Sequence, residues 1–295
     1  MIVSEFAPAK VNLFLAVHGP RPDGFHDLTS LVAQCRFGDT LRVELRVDGV
    51  AEDTLVCSSG ELETGKGNLV RRAAEVFRRW SGEERFFHFE LEKRIPIGAG
   101  LGGGSSDAVA ALRAMRRLVS SQVREGEMLE MARELGSDCP LFLDGKPKLM
   151  RGRGDLIEAI PEKKERELSG RPILVLQPSF PVGTGWAYGV LRENPDHYAD
   201  RRSTEALWQG YLRNDISLED LLSNSFEGPV SQKYLGLRAM LQELRGRFGL
   251  TSLMSGSGSA CFCLLGGEYG KVNAVRDSFE KWFGGYGIFI ESSLS

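Results

Sequence analysis

The sequence predicts a mixed chain of strands and helices folded as two domains, on three observations. Its 295 residues are about twice the length of a typical single domain. Apolar residues recur with period two near the N-terminus and with helical spacing further on. Residues 161–170 put six charges into ten positions with almost no apolar content, which reads as a linker. The boundary is expected between about 150 and 170, giving domains 1–155 and 156–295.

The elements follow in order. Val11, Leu13, Leu15 and Val17 alternate with Asn12, Phe14 and Ala16, a strand with two distinct faces, and Lys10 shares the face of Asn12. Two prolines and Asp23-Gly24 make 18–24 a turn. Strands are expected at 28–34 and 40–47. Leu69, Ala73, Val76, Phe77 and Trp80 mark a helix over 68–80. Its arginines (Arg71, Arg72, Arg78, Arg79) read as a solvated face rather than a nucleic-acid stripe. A strand at 86–91 leads through Lys93, Arg94 and Ile95 into a glycine loop. A helix over 105–118 follows, with Ala108, Ala111, Leu112, Met115 and Leu118 as its core stripe. A helix at 127–135 stops at Gly136, and 141–143 reads as a strand. The second half gives a strand at 173–176, a polar stretch at 192–203 and helices near 232–248 and 271–283. Strands are expected at 251–254, 260–265 and 287–291. No internal repeat is visible.

Composition excludes several classes. With 42% hydrophobic and 26% charged residues the chain is globular rather than disordered or fibrous. A net charge of −3 leaves no bulk basic field to hold nucleic acid or an acidic membrane. The five cysteines (Cys35, Cys57, Cys139, Cys261, Cys263) are scattered without a Cys-x-x-Cys pair. That speaks against a disulfide framework or structural zinc and suits a reducing cytosol. Glu5 and Lys10 interrupt the start, and no apolar run reaches the ~18–20 residues of a membrane span. A soluble, cytoplasmic protein is expected.

The chemistry concentrates in one loop. Pro96, Ile97, Gly98, Ala99, Gly100, Leu101, Gly102, Gly103, Gly104, Ser105 and Ser106 place five glycines in eleven residues between a strand and a helix. Missing side chains let backbone N–H groups approach a ligand, and the positive end of the following helix points to the same place, a phosphate site. Ser105 and Ser106 are placed to cap the helix and to donate hydroxyls to phosphate oxygens. The plainer alternative, a flexible turn with an ordinary cap, is disfavoured by the strand before and the apolar helix after. The run from Gly98 to Gly103 formally matches G-x-G-x-x-G. That fingerprint needs a strand ending in an acidic residue about twenty positions on; here Ser120, Ser121 and Gln122 lead into a second helix. The run from Gly60 to Lys66 matches most of the Walker pattern. Gly67, however, replaces the Ser or Thr that holds magnesium, and Glu61 and Glu63 would repel phosphate.

With its lead-in and Asp107, the glycine loop resembles the nucleotide loop of the GHMP kinases, small-molecule kinases named after galactokinase, homoserine kinase, mevalonate kinase and phosphomevalonate kinase. Pro8-Ala9-Lys10-Val11-Asn12-Leu13 resembles the family's first motif. Ser255-Gly256-Ser257-Gly258-Ser259-Ala260 resembles the third, a second glycine loop closing over the site. The resemblance spans the chain. It implies an α+β fold of two domains, the N-terminal half like the second domain of ribosomal protein S5 and the C-terminal half ferredoxin-like. It also implies ATP as co-substrate, bound by 96–106 with Asn68 near the base, and an accompanying Mg2+ whose ligands the sequence does not name.

Arg21-Pro22-Asp23-Gly24-Phe25-His26 resembles the branch of that family that phosphorylates a cytidine diphosphate substrate in the methylerythritol phosphate route to isoprenoids. There an aromatic residue, usually tyrosine, packs on the cytosine at the position of Phe25, and the adjacent histidine, here His26, hydrogen-bonds the base. Phe25 keeps the stacking face. The plainer reading is a turn aromatic beside a surface histidine. Leu135-Gly136-Ser137-Asp138-Cys139-Pro140 resembles the branch's L-G-x-D-V-P, whose aspartate is catalytic; taken alone, an aspartate in a helix-to-strand turn is as readily structural. Pro181-Val182-Gly183-Thr184 resembles the segment that brings a threonine to the substrate. Asn224-Ser225-Phe226-Glu227 departs from the usual N-D-x-E, which leaves its role open. The implied reaction is γ-phosphoryl transfer from ATP to a tertiary hydroxyl. Asp138 would accept or orient the hydroxyl proton, Lys10 would hold that carboxylate and the moving phosphate, and Asn12, Phe25, His26 and Thr184 would contact the substrate. The rivals are a GHMP kinase for a sugar, homoserine or a mevalonate, and a non-catalytic binding module of the same fold, which the presence of both Lys10 and Asp138 disfavours. Small molecules are the implied partners, and the oligomeric state is open.

Overall fold

The computed structural model describes residues 1–46, 52–119 and 123–295. Val47 of an expected strand, and Ser120, Ser121 and Gln122, lie outside the described residues. The chain forms two compact units: Met1–Ala9, Phe37–Ile97 and Gly102–Gly145 make the first, and Lys10–Arg36, Gly98–Leu101 and Lys146–Ser295 the second. These are not the halves 1–155 and 156–295. β1 (Ile2–Pro20) and β2 (His26–Leu45) contribute residues to both units. They are longer than the alternation suggested: the strand begins well before Val11 and passes through Pro20, and 28–34 and 40–47 belong to one strand.

In the first unit, β3 (Thr54–Cys57) pairs parallel with β4 (Phe87–Glu92), and β4 pairs antiparallel with 40–45 of β2. α1 (Leu69–Ser81) is capped by Asn68, whose Oδ1 accepts from Val70 N at 2.9 Å, and it buries Val70, Ala73, Ala74, Val76 and Phe77. Three of its four arginines are ion-paired: Arg71 with Glu52, Arg78 with Asp53 and Arg79 with Glu134. α2 (Gly103–Leu118) buries the expected stripe of Ala108, Ala111, Leu112, Met115 and Leu118. It begins earlier than expected, so Ser105 and Ser106 lie inside its first turn and Gly102 is the cap residue. α3 (Glu125–Leu135) starts after Arg124, whose backbone N donates to the Glu127 carboxylate at 2.7 Å. The strand expected at 141–143 is absent: Cys139–Phe142 forms a 3-10 turn. Pro140 explains this, since its fixed φ favours a turn and it lacks the N–H that a strand needs.

The second unit continues with β5 (Lys148–Gly152), antiparallel to 28–32 of β2, and β6 (Leu156–Ala159) on β5. The supposed linker is α4 (Glu162–Leu168), with Leu168 and Lys164 buried. Its charges pair along the helix, Arg166 with Glu162 and Lys164 with Glu167 at 2.8 Å, and Lys164 also donates to Asn214. β7 (Pro172–Gln177) follows. α5 (Thr184–Glu193) and α6 (Arg201–Arg213) occupy both ends of the polar stretch, and Asp200 caps α6. α7 (Leu218–Leu221) precedes β8 (Ser223–Asn224), which pairs parallel with Phe14 and Leu15 of β1. The helix expected over 232–248 is two, α8 (Glu227–Lys233) and α9 (Leu235–Gly246). β9 (Ser252–Met254), β10 (Cys261–Leu264), α10 (Val272–Phe283) and β11 (Ile288–Ser293) complete the unit. Its antiparallel sheet runs β11-β7-β10-β9, and Ile173, Leu174, Val175, Leu176 and Phe262 are buried in it.

Candidate active site

β1 places Lys10 and Asn12 on one face, as the period of two requires, and both are buried. Lys10 Nζ donates to Asn12 Oδ1 at 2.6 Å and to Gly100 O at 2.8 Å, while Lys10 N donates to Leu101 O at 2.9 Å. The Asn12 amide is fixed from its other end. Ser30 Oγ donates to Phe14 O at 2.7 Å and therefore accepts from Asn12 Nδ2 at 2.9 Å. Asn12 thus orients the lysine, a role the motif alone did not separate from substrate contact.

The two glycine segments of the second unit meet around this lysine. Ala260 N donates to Ala99 O at 3.2 Å, and Ser255 Oγ donates to Gly100 O at 3.3 Å. Gly100 has φ +79, and a Cβ there would lie 2.6 Å from Ser255 O. Gly256 has φ +58, and its Cβ would reach 3.4 Å from Asn12 Oδ1 and 3.5 Å from Lys10 Nζ. Close backbone approach demands glycine at 100, and the positive φ favours it at both. Ser259 accepts from Gln177 Nε2 at 3.0 Å and donates to Phe180 O. Thr184, the first residue of α5, has Oγ1 3.0 Å from Ser257 Oγ, so the third motif and the proposed substrate threonine are brought together.

Phe25 and His26 have different environments. The Phe25 ring is 51% exposed, with the Arg153 guanidinium 5.1 Å from its centroid. His26 is buried rather than a surface histidine: its ring lies 4.7 Å from that of Tyr188, and Nε2 is 3.2 Å from Tyr198 Oη. Burial lowers its pKa, and the Arg192 charge adds to the effect, so the ring is neutral at pH 7. Tyr188, Tyr198 and Arg153 carry no motif by which the sequence could have announced them.

The first unit holds the remaining predicted residues: Pro96 and Ile97, Gly102, Gly103 and Gly104, Ser105 and Ser106, Asn68 and Asp138. The N-terminus of α2 carries the partial positive charge of a 16-residue helix. Ser106 Oγ is buried and has no hydrogen-bond partner among the described residues. Beside that turn lies a buried triad that the sequence reading missed. Lys93 Nζ sits 2.5 Å from Asp39 Oδ2 and 2.8 Å from Asp107 Oδ2, and Asp39 Oδ1 accepts from Arg94 N and Ile95 N. Burial pushes the Asp107 carboxyl up to about 7, with Asp39 adding and Lys93 opposing. For Lys93, burial acts downward and is outweighed by Asp107 and Asp39, so its pKa is raised. Asn68 is engaged as the α1 cap and donates from Nδ2 to Glu63 O at 2.7 Å. Asp138 is half-buried in the turn after α3, where its carbonyl accepts from Leu141 N at 3.2 Å. Cys139 beside it is buried, as an apolar replacement should be; burial pushes its thiol up to about 11, against a hydrogen bond from Ser105. Among the described residues no group of three or more His, Cys, Asp or Glu side chains is placed to hold a metal ion, and no helix is long and apolar enough to cross a membrane.

Comparison with known proteins adds four findings. The family model described as the GHMP kinases N terminal domain matches residues 68–146. A protein of Synechococcus sp. (strain CC9311), named 4-diphosphocytidyl-2-C-methyl-D-erythritol kinase, is 39% identical over 291 residues, covering 93% of this chain and 91% of its own length. Among solved structures, a 4-(cytidine 5'-diphospho)-2C-methyl-D-erythritol kinase superposes with a TM-score of 0.77 at 32% identity, covering 99% of both chains. A homoserine kinase from Cytophaga hutchinsonii, at 21% identity and a TM-score of 0.71 over 99% of this chain and 95% of its own, shares the fold.

Proposed function

The chain belongs to the family of 4-diphosphocytidyl-2-C-methyl-D-erythritol kinases, and from that premise we propose that it moves the γ-phosphoryl of ATP to the 2-hydroxyl of that cytidylated substrate. It is a phosphotransferase with an alcohol acceptor, built on the α+β GHMP kinase fold, and it serves the methylerythritol phosphate route to isoprenoid precursors. The observation that carries the reading is the buried Lys10 ammonium. Asn12 and the Gly100 carbonyl hold it on the loop whose next residues open α2.

Phosphoryl transfer needs a phosphate cradle, a cation on the developing charge and a group that positions or deprotonates the attacking hydroxyl. Backbone N–H groups at 102–106 and the α2 dipole serve as the cradle, with the Ser105 and Ser106 hydroxyls as donors. Lys10 meets the charge that develops on the transferring phosphate. The 2-hydroxyl oxygen bonds to the γ-phosphorus, the bond to the β-phosphate oxygen breaks, and the hydroxyl proton passes to the Asp138 carboxylate. A magnesium ion bound with the nucleotide would supply charge neutralisation to its phosphates; such an ion keeps several waters and needs no all-protein cage. Phe25 stacks on cytosine and His26 reads the base edge as a neutral ring. Thr184 orients the methylerythritol end, and Asn12 acts through the lysine it holds. The chain works in the cytoplasm on small molecules.

The test is an acceptor panel. Purified protein with γ-labelled ATP is offered 4-diphosphocytidyl-2-C-methyl-D-erythritol, homoserine, mevalonate and galactose in separate reactions. Label should pass to the cytidylated acceptor alone. Transfer to another acceptor in its place overturns the reading.

A further inference from the structure

The segment from Asn224 to Glu227 departs from the family's usual pattern, yet its side chains are fully engaged. Asn224 Nδ2 donates to Met254 O at 2.7 Å and to Gly256 O at 2.8 Å, and its Oδ1 accepts from Phe226 N at 2.9 Å. Both donor hydrogens of the amide therefore go to carbonyls on either side of Ser255. Glu227 holds the same stretch from its N–H side: Oε2 accepts from Met254 N at 3.1 Å, and Oε1 pairs with Arg245 at 2.6 Å. Arg245 in turn donates to Ser252 O at 2.8 Å.

What these bonds hold is the seat of the buried lysine. Ser255 Oγ donates to the same Gly100 carbonyl that accepts from Lys10 Nζ, and it accepts from Asn12 N at 3.3 Å. Asn224 is itself fixed to the strand that carries Lys10, since β8 pairs with β1 in the register Leu15↔Asn224. One strand thus carries the lysine, and its neighbour carries the clamp that sets the second glycine loop against it. We infer that Asn224 is a positioning residue for phosphoryl transfer, acting through residues 254–256 on the placement of Lys10. Glu227 and Arg245 secure the outer end of that stretch. The inference rests on the kinase reading above.

Asn224→Asp tests it, because the shape and the acceptor for Phe226 N are kept while both donors are lost. An anionic oxygen would then face Met254 O and Gly256 O. With ATP and the cytidylated acceptor near pH 8.5, kcat should fall about 10- to 100-fold, the scale on which small misplacements of reacting groups act. Both KM values should stay within about threefold, since the loss falls on the transition state. Protonating the introduced carboxyl restores one O–H donor, so the deficit against wild type should shrink as the pH falls toward about 6. Asn224→Ala, which has nothing to protonate, should show a similar loss that does not change with pH, and it stands as the test should Asn224→Asp not fold. A lower Tm with kcat per folded molecule unchanged, or unchanged kcat in either variant, overturns the positioning role. A wild-type chain that transfers nothing to the cytidylated acceptor brings down the reading and the clamp together. An active wild type with unaffected variants brings down the clamp alone.

Discussion

Lys93 and Asp107 form a buried ion pair at 2.8 Å beside the first turn of α2, and the same ammonium is shared with Asp39 at 2.5 Å. Two carboxylates on one cation leave the second only partly compensated. Burial, the largest influence, lifts Asp107 from its ordinary 3.8 to about 7. The folded chain therefore binds a proton there that the unfolded chain has released. The stability this contributes is fully present below about pH 4 and is lost as the pH rises to about 7.

Asp107→Asn removes that titration and keeps the shape. The Tm of the variant relative to wild type should climb between about pH 4.5 and 7 and level off above that. Thermal melts across this range check it. A difference that stays flat with pH would show that Asp107 is ionised throughout.

Gly103 and Gly104 should respond differently to the same side chain. A Cβ at Gly103 would lie 2.8 Å from Lys93 Nζ and 3.1 Å from Ile95 Cγ2, whereas at Gly104 its nearest neighbour is Leu69 Cδ1 at 3.7 Å. Gly103→Val should therefore lower stability by ~1–3 kcal/mol, the usual cost of overpacking. Gly104→Val should keep the fold and obstruct the helix N-terminus, weakening a non-hydrolysable ATP analogue at least about tenfold, ~1.4 kcal/mol. Binding of a cytidine diphosphate compound should persist. Calorimetry with both ligands decides: an ATP analogue that binds Gly104→Val like wild type means that 102–106 is not the phosphate cradle.

Asp138→Asn should fold like wild type, because the residue is half-exposed in its turn and its carbonyl still accepts from Leu141 N. If Asp138 is the base, the amide cannot take the hydroxyl proton, and kcat should drop by ~10²–10⁴-fold with cytidine binding retained. Steady-state kinetics with more than about a tenth of wild-type kcat would remove Asp138 from the role of base.

The parts legible in the sequence are those whose cause is local. The alternation from Val11 to Val17 put Lys10 and Asn12 on one face, and their 2.6 Å hydrogen bond follows from it. Glycine density located both loops because close backbone approach has no other local signature. The illegible parts depend on partners distant in sequence. The charges of 161–170 look like a linker until they are seen paired along α4, with Leu168 buried. Pro140 turns an apolar run that otherwise reads as a strand. Residues 10–36 join the second unit because 28–32 pair with β5, which no local pattern states. Lys93 finds Asp39 54 positions away, and Asn224 finds Met254 30 positions away. Neither lysine nor asparagine carries a spacing signal for such a contact.

Phe25 gives the cleanest test of substrate identity, because its neighbour does more than one thing. His26 packs against Tyr188 and contacts Tyr198, so His26→Ala should cost stability as well as cytidine affinity. The Phe25 ring is 51% exposed, with the Arg153 guanidinium over it, so its removal should leave the fold nearly unchanged. If the open face takes cytosine, Phe25→Ala should weaken a cytidine diphosphate compound by ~1–3 kcal/mol, the scale of base–aromatic stacking. Phe25→Tyr presents the same face and should bind within about twofold of wild type. Neither change should alter the affinity for a non-hydrolysable ATP analogue if its phosphates are read by glycine backbone rather than by an aromatic ring. Each variant is titrated separately with the two ligands and melted in parallel. Loss of cytidine affinity in Phe25→Ala with an unchanged Tm assigns the ring to the base. Unchanged cytidine affinity, or an equal loss for the ATP analogue, leaves Phe25 as an exposed turn residue and removes the residue-level basis for choosing a cytidine substrate over the others of this fold.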